Sequence, residues 1–104
     1  MEQLQYIVDA FSDAVFSGNP AAVCPLDNWL PDATMAAIAR ENNLSETAFI
    51  IGTRGDYAIR WFTPSMEVDL CGHATLASAF VVFNYLEPNQ TAVSFQSPSG
   101  PLHV

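Results

Sequence analysis

The sequence predicts an α+β fold: a curved, mostly antiparallel sheet or barrel around a central apolar helix, plus one outer helix. Three observations predict it. Short runs of β-branched and aromatic residues, bounded by turn formers, recur along the chain. One segment is apolar on every side at helical spacing, and another is apolar on one face only. At 104 residues the chain has the length of one ordinary domain, so residues 1–104 are read as a single domain whose strands must form the shell of that apolar helix.

The elements follow in order. Residues 4–11 (LQYIVDAF) read as a strand and residues 12–20 (SDAVFSGNP) as a loop, because Ser, Asp, Gly, Asn and Pro favour turns. Ala21-Ala22-Val23-Cys24 is a second apolar run ending at Pro25, the mark of a buried strand. Pro31 suits the first turn of a helix, where a missing N–H costs little. Met35, Ile38 and Ala39 then recur at helical spacing up to Asn42-Asn43, where asparagine tolerates the left-handed conformation that closes a helix.

Residues 47–51 and 57–62 flank Gly52-Thr53-Arg54-Gly55-Asp56 and read as an antiparallel hairpin. In its second strand Tyr57, Ile59 and Trp61 share one face, and Ala58, Arg60 and Phe62 the other. Residues 73–85 form the apolar helix, ending at Glu87-Pro88-Asn89; residues 91–95 and 101–104 are two last strands, separated by SPSG.

Composition narrows the function classes. Half of the residues are hydrophobic and 13% are charged, which excludes a disordered chain. Eleven acidic residues face Arg40, Arg54 and Arg60 and no lysine, for a net charge of -8. Phosphate backbones and anionic membranes are repelled by such a chain, so neither nucleic acid nor membrane is expected as a partner. No run of about 18 apolar residues exists to span a bilayer, and MEQLQYIVDA lacks the basic region of a signal peptide, so the expected location is cytoplasmic. Cys24 and Cys71 are then reduced thiols, and without CxxC or Cys-His spacing no metal site is expected. Gly18, Gly72 and Gly100 are too scattered for a phosphate-binding loop, and Ser12, Ser17 and Ser45 lack a histidine–acid arrangement.

Two places carry chemistry. Glu46 stands between a helix end and a strand among apolar neighbours, where burial would raise a carboxyl pKa and suit it to general acid/base work; the bland alternative is an exposed or backbone-capping carboxylate. Asp69-Leu70-Cys71-Gly72-His73-Ala74-Thr75 opens the apolar helix. Glycine admits a ligand close to the backbone there, and free N–H groups at a helix start hold carboxylates without lysine. The bland alternative is amides capped by Asp69, by Thr75 or by water. Histidine as a residue type changes charge near physiological pH, so His73 could exchange protons or orient a substrate, whereas His103 carries no functional argument. Cys71 could be a thiolate, since a helix N-terminus lowers a thiol pKa, or simply a packed side chain.

Five ordered motifs, Val8-Asp9-Ala10-Phe11, Phe16-Ser17-Gly18-Asn19-Pro20-Ala21-Ala22-Val23, Asn43-Leu44-Ser45-Glu46-Thr47-Ala48-Phe49, Arg60-Trp61-Phe62-Thr63-Pro64 and Asp69-Leu70-Cys71-Gly72-His73-Ala74-Thr75-Leu76-Ala77, run through essentially the whole chain. In these the chain resembles the PhzF family, which is related to diaminopimelate epimerase. The resemblance implies a two-lobed fold, each lobe a sheet or barrel around a central helix, with substrate in the cleft between lobes. It implies Glu46 as the proton-transferring acid/base, and Gly72, His73 and Ala74 as the helix start that binds or polarises a small anionic or amino-acid-like substrate. It implies no metal, flavin, nicotinamide or pyridoxal phosphate cofactor. For Cys71 it gives a location and not a role. The chain has the length of the amino-terminal lobe, so a second lobe is expected from elsewhere, another chain or a homodimer partner among the sources. The alternative is a noncatalytic lobe that binds or self-associates.

Overall fold

The computed structural model describes residues 5–8 and 20–104. Motif residues 9–11 and 16–19, and with them Ser12, Ser17 and Gly18, lie outside the described residues. The elements are β1 (Tyr6–Val8), β2 (Ala21–Pro25), α1 (Asp32–Asn42), β3 (Glu46–Thr53), β4 (Asp56–Phe62), β5 (Glu67–Val68), α2 (Gly72–Val81), a π-helical turn over Val82–Leu86, β6 (Ser94–Ser97) and β7 (Gly100–His103). The strands form one mixed sheet in the order β1-β2-β3-β4-β6-β7, with β5 also on β4. The class is α+β.

The sheet is mostly antiparallel, as expected, but it is mixed, because β2 runs parallel to β3 and β4 parallel to β6. Each parallel pair spans a helix, α1 in the first case and α2 in the second. Both connections step the same way across the sheet, but β4 runs opposite to β3. Right-handed crossovers then require the two helices to lie on opposite faces. The two cores obey this. Met35 and Ala39 of α1 pack with Cys24, Phe49 and Phe62, whereas Ala74, Ala77 and Val81 of α2 pack with Val23, Ala48, Ile50, Ile59, Trp61 and Phe95. Phe49 meets Phe62 edge-on with ring centroids 5.4 Å apart.

Alternation along β4 matches the expectation, with Tyr57, Ile59 and Trp61 all in the α2-side core and Phe62 on the α1 side. Trp61 is fully buried, and its indole N–H has no hydrogen-bond partner among the described residues, which costs about 1–3 kcal/mol against the gain from burying its ring. On the other face Arg60 donates to both oxygens of Glu67 at 2.8 and 2.7 Å, pairs with Asp32 at 3.1 Å and stacks over Trp29. That pairing accompanies β5, a two-residue strand the sequence does not announce.

Helix α1 runs as read, with Pro31 at its cap and Asn43 in the left-handed conformation at φ 51°, its N–H bonded to the Ala39 carbonyl. Helix α2 departs from expectation twice. Its α-helical part ends at Val81 and gives way to the π-helical turn. It is also not enclosed on all sides: Leu76 and Phe80, one turn apart, are 43% and 42% exposed, and Tyr85 beside Phe80 is 56% exposed. A sheet covers one flank of a helix lying on it, and α2 lies chiefly over β2 and β3. The strand expected at 91–95 forms instead at Ser94–Ser97, because β6 takes its register from Asp56, Tyr57 and Ala58 of β4.

The β3–β4 hairpin turns on two residues only, Arg54 at φ 56° and Gly55 at φ 74°. This left-handed pair twists with the strands but strains a non-glycine residue. Glu87 offsets the strain: its carboxylate accepts from the Arg54 N–H at 2.7 Å, the Gly55 N–H at 2.9 Å and the Tyr57 hydroxyl at 2.8 Å. These donors hold its pKa below the usual carboxylate range, the Gly55 amide contributing most. A lowered folded-state pKa adds stability that is present above the unfolded pKa and is lost as pH falls through the folded value. Glu87→Ala is therefore expected to melt below the parent protein at pH 7, with the gap narrowing as pH drops below about 4 in thermal unfolding followed by circular dichroism.

Candidate active site

Glu46 is the first residue of β3 and pairs with Ala21 of β2. It is in phase with Ala48 and Ile50, whose side chains belong to the α2-side core, so its carboxylate points to the α2 face. Its neighbour Thr47 points to the opposite face and is fully buried there. The Asn42 amide donates to the Thr47 hydroxyl at 3.1 Å and exchanges two hydrogen bonds of 3.1 Å with Gln5, whose carbonyl also accepts from the Cys24 thiol at 3.3 Å. The left-handed Asn43 and this amide pair thus fix where β3 starts, and the start of β3 fixes Glu46.

Cys71 caps α2 in extended conformation, at φ -149° and ψ 99°. Its thiol feels the charge of Glu46 and the backbone amides of Ala74 and His73. Of the two readings of Cys71, thiolate or packed side chain, its surroundings favour the packed, protonated thiol. Burial is the largest influence and raises the thiol pKa; the Ala74 amide lowers it, the Glu46 charge and hydrogen bond raise it, and the His73 amide lowers it, with a net rise. Two helix amides do not outweigh desolvation plus a carboxylate. Cys24 is an inert core thiol, pushed by burial to about 12.

Among the described residues no side chain caps the helix start. The Thr75 hydroxyl turns back to the Cys71 carbonyl at 2.7 Å, and neither it nor Asp69 covers the amides. Gly72 is exposed, and a Cβ there would meet none of the described residues within 4 Å. Its φ is not in the left-handed region, so the backbone does not require glycine; what glycine provides is open approach. His73 is half-buried and Ala74 buried at the same end. The fold therefore brings Glu46, Cys71, Gly72, His73 and Ala74 together, from segments 25 residues apart in sequence, counting from Glu46 to Cys71. Glu46 itself is half-buried and not enclosed.

His103 lies elsewhere, on β7, hydrogen-bonded to Ser94 at 2.9 Å. One support of the site was not legible in the sequence: the Ser99 hydroxyl donates to the Asp69 carbonyl at 2.7 Å, tying the β6–β7 turn to the loop before α2. Among the described residues no group of three or more His, Cys, Asp or Glu side chains could hold a metal ion.

A mixed sheet with one helix on each face makes an α+β fold similar to the PhzF and epimerase-like fold. A predicted epimerase from Pseudomonas aeruginosa shares that fold, at TM-score 0.85 and 24% identity over 98% of this chain and 37% of its own. The chain belongs to the PhzC-PhzF family of phenazine biosynthesis-like proteins, whose pattern it matches over residues 8–104. A crystal structure of a PhzF-family protein from Enterococcus faecalis is 60% identical, with TM-score 0.91 over 100% of this chain and 40% of that one. Among curated relatives, a Pseudomonas aeruginosa protein named as an uncharacterized isomerase is 59% identical over 104 residues. The human phenazine biosynthesis-like domain-containing protein is 48% identical over 107. This chain spans about 40% of the length of the curated relatives it matches: 40% of the first and 37% of the second.

The two glycine environments can be told apart experimentally. Gly72→Ala is expected to keep stability within about 1 kcal/mol of the parent, since the added methyl meets open space. Gly55→Ala should lose more than that, because φ is +74° and the new Cβ would sit 2.9 Å from the Ala92 carbonyl oxygen. Urea unfolding of the two variants measures both.

Proposed function

We propose that this chain is one lobe of a PhzF-like isomerase that moves a proton between carbons of a small carboxylate-bearing substrate without a cofactor, with Glu46 as the acid/base. The observation that carries this reading is that Glu46 points to the α2 face and its charge reaches Cys71 at the start of α2, where no described side chain caps the helix. With net charge -8 and no lysine, an anionic substrate needs donors that are not side-chain cations. The amides at the Gly72, His73 and Ala74 helix start suit that task. The carboxylate of Glu46 takes a proton from a carbon beside an activating group. The electron pair left behind is delocalised into that group, whose negative charge the helix start stabilises, and Glu46 returns the proton at the second carbon. His73 orients the substrate at the same end.

A second lobe completes the cleft in this proposal, supplied by a partner copy or by a separate stretch of chain. The exposed flank formed by Leu76, Phe80 and Tyr85 supports such a partner, and covering it would make α2 the central helix of its lobe. The same flank is what favours the second reading, a noncatalytic lobe that only self-associates. Against that reading, Glu46 is neither fully exposed nor remote from the helix start. The cytoplasm is the setting proposed with this activity, and phenazine biosynthesis is one pathway the family name suggests.

The test is solvent exchange. In D2O, with a panel of unsaturated and α-amino carboxylates, proton NMR is expected to show deuterium entering one substrate at a carbon next to its activating group. Glu46→Gln should slow that exchange by at least about a hundredfold while leaving the melting temperature unchanged. Exchange that survives the substitution would remove Glu46 from the mechanism, and exchange absent from every substrate with the dimer confirmed would favour the binding module.

A further inference from the structure

The isomerase reading places substrate at the start of α2, and that start is reached from β4 through residues 63–71, a connection whose side chains are poorly buried. Met66, Asp69 and Leu70 are exposed; Val68 and Cys71 touch the α2-side core on either side of the Asp69-Leu70 pair. Hydrogen bonds hold the connection instead. The Thr63 hydroxyl accepts from the Ser65 and Met66 amides at 3.2 and 3.1 Å, and the Thr63 amide donates to the Met66 carbonyl at 2.8 Å. Glu67 is then fastened at two points by Arg60, at 2.8 and 2.7 Å. Beyond β5 the Ser99 hydroxyl donates to the Asp69 carbonyl at 2.7 Å.

Ser99 is itself fixed. It stands in the two-residue turn between β6 and β7, where Ser97 pairs with Gly100. The Ser97 hydroxyl accepts from the Ser99 amide at 3.1 Å and donates to the Gly100 carbonyl at 2.6 Å, and Gly100 takes the φ of 103° that closes the turn. Pairing of β6 with Asp56, Tyr57 and Ala58 ties this hairpin to β4. A donor on a rigid hairpin thus holds a carbonyl two residues before Cys71, whose own carbonyl takes the first hydrogen bond of α2, from the Thr75 amide at 3.1 Å.

We propose that Ser99 is a positioning residue: by holding the Asp69 carbonyl it sets where the Gly72, His73 and Ala74 amides stand relative to Glu46. This inference rests on the isomerase reading. Glu46 is placed by β3, and the helix start by α2 and the connection that leads into it. Their separation is therefore defined only as well as that connection is held. Misplacing a reacting group by roughly 1 Å costs on the order of a hundredfold in rate. Release of one exposed hydrogen bond, with Glu67 still fastened upstream, permits a smaller displacement and a smaller loss.

The hold and its use are tested separately on the same chain. Backbone amide exchange followed by NMR reports the hold. Ser99→Ala is expected to speed exchange of the Thr75 amide about fivefold, and to leave unchanged the Val82 amide, which is bonded to the Ser78 and Ala79 carbonyls at the far end of α2. An unchanged Thr75 amide, or an equal change at Val82, overturns the hold. In the substrate assay the same variant is expected to lose about tenfold in kcat/KM at an unchanged melting temperature, and Ser99→Thr, which keeps a hydroxyl, to recover most of it. Ser94→Ala is the control on the same hairpin, since that hydroxyl meets His103 at 2.9 Å instead, and it should keep the parent rate. The parent rate in Ser99→Ala, a loss in Ser99→Thr as deep as in Ser99→Ala, or an equal loss in Ser94→Ala overturns the positioning role. If the parent protein exchanges no substrate, the isomerase reading falls and the catalytic use of Ser99 falls with it, while the Thr75 amide still states whether Ser99 holds the helix start. If the parent does exchange substrate and Ser99→Ala matches it, only the role of Ser99 falls.

Discussion

Strand β3 is the element on which the rest depends, because both of its edges and both of its faces are occupied. It is paired with β2 in parallel and with β4 in antiparallel register, and it separates the α1-side core from the α2-side core. A strand so placed can have only one register, since a slip by one residue would send Phe49 into the α2 core and Ala48 into the α1 core. Glu46 inherits that constraint. Its direction is not set by contacts of its own but by the burial of the residues that follow it, and full burial of side chains the size of Phe49 is worth about 3 kcal/mol each at the upper end of the transfer scale.

Charge in this protein is managed by a few local arrangements. Arg60 is consumed by Glu67 and Asp32, which pushes its pKa further up and stitches α1 and β5 to β4. Arg40 sits in the last turn of α1, where it complements the helix dipole. Glu87, at the exit from the π-helical turn, receives two backbone amides and a tyrosine hydroxyl, so one carboxylate stabilises a strained hairpin turn. With those groups engaged, the helix start at Gly72 stands out as a positive partial charge that no described side chain caps.

Much of the fold was legible because it obeys periodicities that short stretches carry by themselves. The period-2 split of β4, the closure of α1 at Asn43 and the apolar run of β2 all appear as read. What was not legible depended on partners remote in sequence. The parallel pairing of β6 with β4 shifted the strand to Ser94–Ser97, and β5 forms where Glu67 meets Arg60. Enclosure of α2 was misjudged because composition reports how apolar a helix is and not how much of the chain is available to cover it. Leu76 and Phe80 show that difference.

The candidate site divides in the same way. Residue types and local order by themselves determined that a carboxylate follows the end of α1 and that Cys71-Gly72-His73 opens a helix, because caps, turns and helix starts are short-range chemistry. They determined family membership as well, since ordered motifs are a property of the string. Only the tertiary structure decided that the Glu46 charge reaches Cys71, that burial raises the thiol pKa and that no described residue crowds Gly72. The reason is physical: contact across the sheet and helix, and the desolvation that comes with it, exist only after β3 and α2 have packed together.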